Sequence, residues 1–324
     1  MLLNEHGYGL CNIMKKLVTG SCVIWKDMAS MGKRFDHLVI AVRDLAAASE
    51  FYQRLGFDVR PGGQHTGLGT HNALIRFGLD YVELLSLYEQ PSQSGLRGDV
   101  LREFLQHHEG GLLGYALATD TIEQDARQLS ATELPAHGPF AMHRVRPDGT
   151  ELSWRLLVPD GVAWRQPWPF FIQWDASDEQ RLTWEQPGSH ANGVTGWQRI
   201  AIAVRDLSEA IDLYQRQLGL QQQGRIEVAR LGAQGAVFQV GSARIELLAP
   251  AGPGVVQDTL AHVGEGPVEV SFIVNDLDVG RRLLVKAGCT MVTDVAGPGT
   301  LLIAPQETLG ARIILEQDTN KDHA

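Results

Sequence analysis

Apolar positions along the chain follow two periods that alternate with one another. Residues 37–42 (HLVIAV) form a short run of aliphatic and β-branched side chains, the pattern of a buried strand. Residues 46–55 follow with Phe51 and Leu55 on one face, so the spacing predicts a helix. Asp44 stands where an N-cap is needed, and Gly56 where a C′ glycine would end the helix. Further strands are predicted around residues 58–60, 73–77 and 81–87, joined by glycine-containing turns. The first unit reads β-α-β-β-β.

That unit returns. The segment FDHLVIAVRDLAAASEFYQRLGF from Phe35 reappears as WQRIAIAVRDLSEAIDLYQRQLGL from Trp197. With one residue inserted near Leu218, YVELLSL from Tyr81 then falls on RIELLAP from Arg244, which pairs Glu83 with Glu246. A weaker copy runs through a strand at 114–119, a helix at 121–130 and strands near 142–145, 150–157 and 169–174. Another has a strand at 268–274, a helix at 277–287 and a last strand within 311–316. Four copies of one module in two tandem pairs predict an α+β fold. The polar stretch 177–196, with Pro187, Gly188 and Gly193, is read as a linker between domains at 34–176 and 197–318. Residues 1–33 are read as an extension outside the ordered core, and 319–324 as a tail.

Composition narrows the function classes. Hydrophobic residues at 44% and charged residues at 20% fit a soluble globular chain, and the net charge of −10 speaks against a nucleic-acid partner. Cys11, Cys22 and Cys289 lack metal-type spacing and imply no disulfide framework, which predicts a cytoplasmic protein. No apolar run reaches the roughly 18 residues of a membrane span. Lys15 and Lys16 precede a short apolar stretch that resembles a secretory signal, but Thr19, Gly20 and Ser21 break it. The expectation is an extension, or a translation start at Met31.

Four ordered stretches carry a family resemblance: FDHLVIAVRDL, GGQHTGLGTHNALIRFG with DYVELL, RPDGTELSWRLL and PFFIQWD. Residues 35–175, which hold them, resemble the glyoxalase-like domain of the vicinal oxygen chelate (glyoxalase/bleomycin resistance/extradiol dioxygenase) superfamily. Residues 197–317 resemble the broader superfamily through IAVRDL, IELL and FIVNDL. The resemblance implies that each pair of βαβββ modules forms a curved mixed sheet around one cavity. It also implies a divalent metal there, held from the first and last strands of each module. Members isomerise, open epoxides, cleave C–C bonds with dioxygen, epimerise or sequester a drug, and fold alone does not choose among these.

Carried onto this chain, the pattern places His37 at the first-strand ligand position, Glu83 at the last-strand position and Gln173 at the second module's last-strand position. The equivalent first-strand residue lies near Leu113, which has no donor, so His37, Glu83 and Gln173 make a short ligand set for Fe, Mn, Zn, Ni or Mg. The competing reading hydrogen-bonds His37 inside the barrel and pairs Glu83 with an arginine such as Arg155. Gly62, Gly63, Gly67 and Gly69 would let a loop fold over a ligand, closing His65 onto it while Asn72 orients a substrate carbonyl. Glu151, Ser153 and Arg155 alternate with Leu152, Trp154 and Leu156. If the charged face lines the cavity, Arg155 binds a substrate carboxylate; Trp154, with Phe170 and Trp174, would wall an apolar pocket. In the second half Arg199 replaces His37 and Glu246 matches Glu83, with Glu269 and Ile314 in the fourth module. That half would stabilise the first or form a homodimer contact.

The leading expectation is an enzyme in which His37, Glu83 and His65 act on a small oxygenated substrate, with or without a divalent ion. A non-catalytic binding or sequestration protein, and a metal-free hydrolase or isomerase, are the alternatives. Ser86, Ser153 and Ser271 lie in strands without a nucleophile-elbow motif, so covalent catalysis has no support.

Overall fold

A computed structural model describes residues 32–319 apart from 66, 67, 89–97, 147 and 242. The expectations for the N-terminal extension, Met31, Cys11, Cys22, Gly67 and most of the tail lie outside these residues.

The first module is β1 (Lys33–Val42), α1 (Leu45–Arg54), β2 (Val59–His65), β3 (Thr70–Arg76) and β4 (Tyr81–Leu87). Its caps follow the sequence reading: the Asp44 side chain accepts from the Ala47 amide, and Gly56 has φ +88°. Helix α2 (Gly98–His107), not foreseen, leads into the second module: β5 (Gly110–Thr119), α3 (Ile122–Ser130), β6 (Ala136–Val145), β7 (Glu151–Pro159) and β8 (Phe170–Trp174). The stretch read as linker carries α4 (Asp178–Trp184). The second half holds β9 (Val194–Ala203), α5 (Leu207–Asp212), β10 (Gln222–Val228), β11 (Ala233–Val240) and β12 (Ala243–Pro250), then α6 (Val255–His262). It ends with β13 (Gly266–Val274), α7 (Leu277–Lys286), β14 (Met291–Thr293), β15 (Thr300–Ile303) and β16 (Ile313–Gln317).

The modules build two curved mixed sheets of eight strands each. The first closes into a barrel in the order β1-β4-β3-β2-β6-β7-β8-β5; the second stays open, with β10 and β14 at its edges. Closure hangs on a short seam in which Gln64 and His65 of β2 face Val145 and Arg144 of β6. Strand β6 runs ten residues, whereas β14, its counterpart, runs three and does not reach β10.

Strand alternation gives the barrel two apolar layers. Val39, Ala41, Leu113, Ala116, Trp154, Leu156, Phe170 and Ile172 fill the inside. Leu38, Ile40, Leu84 and Leu117 point outward into a core continuous with that of the second half. Trp197 meets Phe35 at 4.7 Å and Phe272 at 4.9 Å between ring centroids, and Phe77 meets Phe272 at 5.3 Å. The two halves therefore share one hydrophobic core, and the second is a buttress for the outer face of the barrel.

Candidate active site

His37 and Glu83 reach one cavity because β1 and β4 are parallel neighbours, with His37 opposite Tyr81 and Val39 opposite Glu83. Alternation then puts 37, 39, 81 and 83 on the inner face. The His37 ring stacks on Tyr81 at 4.7 Å and meets the edge of Phe170 at 5.4 Å, which fixes its plane. The pairing of β1 with β5 slips between Phe35 and His37. The extra residue at this bulge is Asp36, so its carboxylate falls behind the imidazole rather than on the opposite face. Asp36 Oδ1 lies 2.7 Å from His37 Nδ1, and Asp36 Oδ2 accepts from Trp174 Nε1 at 3.0 Å.

Burial alone would raise the Asp36 pKa. The His37 hydrogen bond and the charges of Arg181, His37 and Arg34 outweigh it and hold the carboxyl at about 2. An ionised Asp36 can only accept, so Nδ1 of His37 carries its hydrogen and Nε2 is the atom that faces the cavity.

Glu83 stands across from that atom. Its Oε2 is 3.6 Å from His37 Nε2, and its Oε1 accepts from Asn72 Nδ2 at 2.6 Å. His65 arrives through the seam that closes the barrel. Its Nδ1 is 2.9 Å from Thr70 Oγ1, and its Nε2 lies 3.3 Å from Asn72 Nδ2 and 3.7 Å from Glu83 Oε1. Burial, opposed by Glu83 and helped by Arg144, pulls the His65 pKa down to about 4, so the ring is neutral near pH 7. Apart from Arg144, the remaining wall of this cavity of about 70 Å³ is largely apolar, with Leu85, Leu101, Trp154, Trp164, Phe170 and Ile172. Among the described residues, the buried Asn72 Oδ1 and Trp154 Nε1 of its lining have no hydrogen-bond partner.

The neutral His65 makes stability depend on pH. Its folded pKa of about 4 lies below its ordinary 6.5, so between these values the unfolded chain binds the proton and the folded one does not. Stability is therefore fully present above pH 6.5 and is lost as pH falls toward 4, by on the order of 3 kcal/mol. Urea melts at pH 7 and pH 4.5 should show this slope, and His65→Gln should flatten it.

Two of the anticipated residues are elsewhere. Gln173 is on the outer face of β8, since Phe170 and Ile172 take the inner one; its Oε1 accepts the Ile122 amide at 3.0 Å, at the start of α3. It is a helix-end partner outside the cavity, which corrects the expected ligand. Arg155 is likewise outside: the apolar face of β7, with Trp154 and Leu156, lines the cavity, and Arg155 Nη1 reaches Glu123 at 3.4 Å on the surface. A half-exposed pair of this kind contributes little. Arg155→Ala should leave stability within about 0.5 kcal/mol and ligand binding unchanged, as measured by denaturant melts and calorimetry. Gly62 and Gly63 do not belong to an open loop either. Residues 61–65 belong to β2, and a Cβ at Gly62 would collide with Asn72 Oδ1, so the glycine permits close strand packing.

Sequence reasoning missed four charged residues that surround the site. Arg181 of α4 is fully buried, with Nη1 3.8 Å from Asp36 Oδ2 and its guanidinium stacked 4.0 Å from the Trp174 ring. Glu185, just past α4, pairs with both Arg76 and Arg144. Arg144 lines the cavity and donates to the Gly62 carbonyl at 2.6 Å. A signal was present, because Arg181 and Glu185 are an i,i+4 pair of opposite charge inside a stretch taken for linker. Asp36 stood beside His37 in the sequence, but only the bulge shows that the two can meet.

In the second half the same positions hold an ion-pair cluster instead. Arg199 is 3.6 Å from Glu246, 3.4 Å from Glu269 and 2.5 Å from Glu316. Glu316 lies one inward position beyond Ile314 on β16. Arg230 and Arg244 add bonds of 2.7 and 2.6 Å to Glu269 and Glu246.

The fold and site define a class: paired βαβββ modules curved around a buried imidazole and carboxylate. The glyoxalase-like domain model matches residues 35–205, and a model described as the glyoxalase/bleomycin resistance protein/dioxygenase superfamily matches residues 198–301. The chain belongs to the glyoxalase-like domain family. Among solved structures it is similar to a hypothetical protein from Staphylococcus aureus at 16% identity, covering 88% of this chain and 99% of that one with a TM-score of 0.60. A triple mutant of 4-hydroxymandelate synthase from Streptomyces coelicolor is similar at 12% identity, covering 88% and 92%, with a TM-score of 0.58. Methylmalonyl-CoA epimerase from Mycobacterium tuberculosis is 30% identical over 41% of this chain and 94% of its own, with a TM-score of 0.37. No curated protein matches the chain.

The superfamily's divalent ion can be tested against these side chains. The second module should supply half of the donors, but its inward residues are Leu113, Ala116, Phe170 and Ile172. His37 and His65 each face a different oxygen of Glu83, one of which Asn72 already occupies. Among the described residues, no group of three or more His, Cys, Asp or Glu is arranged to hold a metal ion. The donor set does not fit the superfamily's two-module metal site.

Proposed function

We propose that the N-terminal barrel is an acid–base active site that moves protons on a small, uncharged, oxygenated molecule, as an isomerase or lyase would. The observation that carries this reading is the buried Asp36–His37 pair aimed at Glu83 inside an apolar cavity. Two titratable groups of different chemistry, 3.6 Å apart and shielded from water, can exchange protons with a molecule that lies against both in the cavity. In a hydroxycarbonyl substrate Glu83 takes the proton from carbon while His37 Nε2, which carries no hydrogen, takes the hydroxyl proton and passes it to the carbonyl oxygen. Return of the carbon proton from Glu83 to the former carbonyl carbon completes an isomerisation and regenerates both side chains. Trp154 Nε1, a buried donor without a partner, is available to the oxygen on which charge develops.

The charge pattern supports an uncharged substrate. Arg144, the arginine lining the cavity, is committed to Glu185 and the Gly62 carbonyl, and His65 is neutral, while Glu83 would repel a carboxylate. The cavity volume of about 70 Å³ has room for a small molecule of this kind.

Deuterium wash-in tests the reading. A panel of small hydroxyketones and hydroxyaldehydes incubated with the protein in D₂O should include members that exchange a carbon-bound hydrogen, followed by NMR. Exchange should persist in excess EDTA. Compounds that raise the melting temperature but never exchange would favour the binding-protein alternative, and loss of exchange on chelation would restore the metal.

A further inference from the structure

We propose that Arg181, carried on the short helix between the two sheets, is a positioning residue that holds His37 in the orientation the cavity chemistry needs. The proposal rests on the acid–base reading for its consequence, though not for its test. Asp36 is fully buried, and a carboxylate removed from water stays ionised only beside compensating charge and hydrogen bonds. Two guanidinium groups stand near it. Arg34 is 3.6 Å from Asp36 Oδ2, but a third of its side chain is exposed and it also pairs with Asp178 at 2.7 Å. Arg181, 3.8 Å from the same oxygen, is wholly removed from solvent, so its field is not screened.

Its placement is over-determined. The guanidinium lies on the Trp174 ring, Trp174 itself donates to Asp36, and Arg181 Nη2 donates to the Leu79 carbonyl at 3.3 Å. Arg181 Nε and Nη1 make no hydrogen bond, so the side chain acts on Asp36 through charge and stacking. Without that charge, Asp36 keeps the partly exposed Arg34, which Asp178 shares, and the balance moves toward the protonated acid. A carboxylic acid can donate to Nδ1, which would move the ring hydrogen to Nε2 and reverse the roles of the two ring nitrogens. An arginine 144 residues along the chain from the histidine thus selects which nitrogen faces Glu83.

Ring-nitrogen NMR of the full-length protein with ¹⁵N-labelled histidine reads this directly, with the His37 signals assigned by their loss in His37→Gln. In the wild type His37 should carry its hydrogen on Nδ1 and exchange it slowly with water. Arg181→Gln should shift the ring toward the Nε2-protonated form and speed that exchange by about tenfold, and Arg181→Lys should recover the wild-type signals. Should Arg181→Gln not fold, the double variant Arg181→Gln/Glu185→Gln, which removes both members of the i,i+4 pair, should show the same shift. A folded glutamine variant whose His37 signals match the wild type would overturn the proposal, as would a wild type protonated at Nε2. These signals need no substrate, so their outcome is separate from that of the deuterium exchange.

Discussion

Glu83→Gln should lower carbon-hydrogen exchange by about 10² to 10⁴-fold, the range that a positioned general base contributes. The substitution is nearly isosteric. The glutamine carbonyl oxygen can still accept from Asn72 Nδ2, which donates to Glu83 at 2.6 Å, so the neighbouring side chains need not move. What is lost is the ability to hold a proton opposite His37 Nε2. The measurement is the initial rate of deuterium incorporation by wild type and variant at equal concentration, with urea melts to establish that both are folded. Unchanged exchange in a folded Glu83→Gln protein would remove Glu83 from the chemistry. Asp36→Asn should act in the same direction, because an amide can present its NH₂ to Nδ1 and stabilise the wrong form of the ring.

Arg199→Leu should destabilise the protein by about 3–5 kcal/mol, the usual result of breaking a buried ion pair from one side. Arg199 reaches three carboxylates, of which Glu246 and Glu269 are buried. Removing it leaves Glu316 without that bond and leaves the buried Glu246 and Glu269 to Arg244 and Arg230, one cation short, a loss the apolar leucine cannot meet. Chemical denaturation measures this, with Arg216→Ala as the contrast. Arg216 is 78% exposed and pairs with Asp212 on the surface, so its loss should not shift the melt measurably. The second half, which does no chemistry under this reading, would then be shown to depend on the charges that replaced a site. Because it shares a core with the barrel, the loss should also lower the temperature at which the barrel melts.

Much of the architecture was legible in the sequence because it is written in short-range chemistry. The repeated IAVRDL, Asp44 at a helix start, Gly56 at its end and the strand at Tyr81–Leu87 each depend on a few neighbouring residues. The family resemblance singled out His37 and Glu83 as candidates, and the strand each lies on follows from the repeat. Faces were harder. An alternating strand such as β7 states that two faces differ but not which one is inside, and here the apolar face took the cavity and sent Arg155 out. Gln173 was displaced by the same parity, one position from Ile172.

By itself, then, the sequence determined four βαβββ modules, their pairing in tandem and the first module as the one with both His and Glu in place. Only the tertiary structure decided that the first sheet closes through Gln64 and His65, that a bulge sets Asp36 behind His37, and that Arg181 and Glu185 come back from a supposed linker to surround the site. The division has a physical cause. Helix caps, turns and hydrophobic periods are fixed by interactions a few residues long, whereas a buried charge must find its partner wherever the fold brings one, and sequence distance carries no record of that meeting.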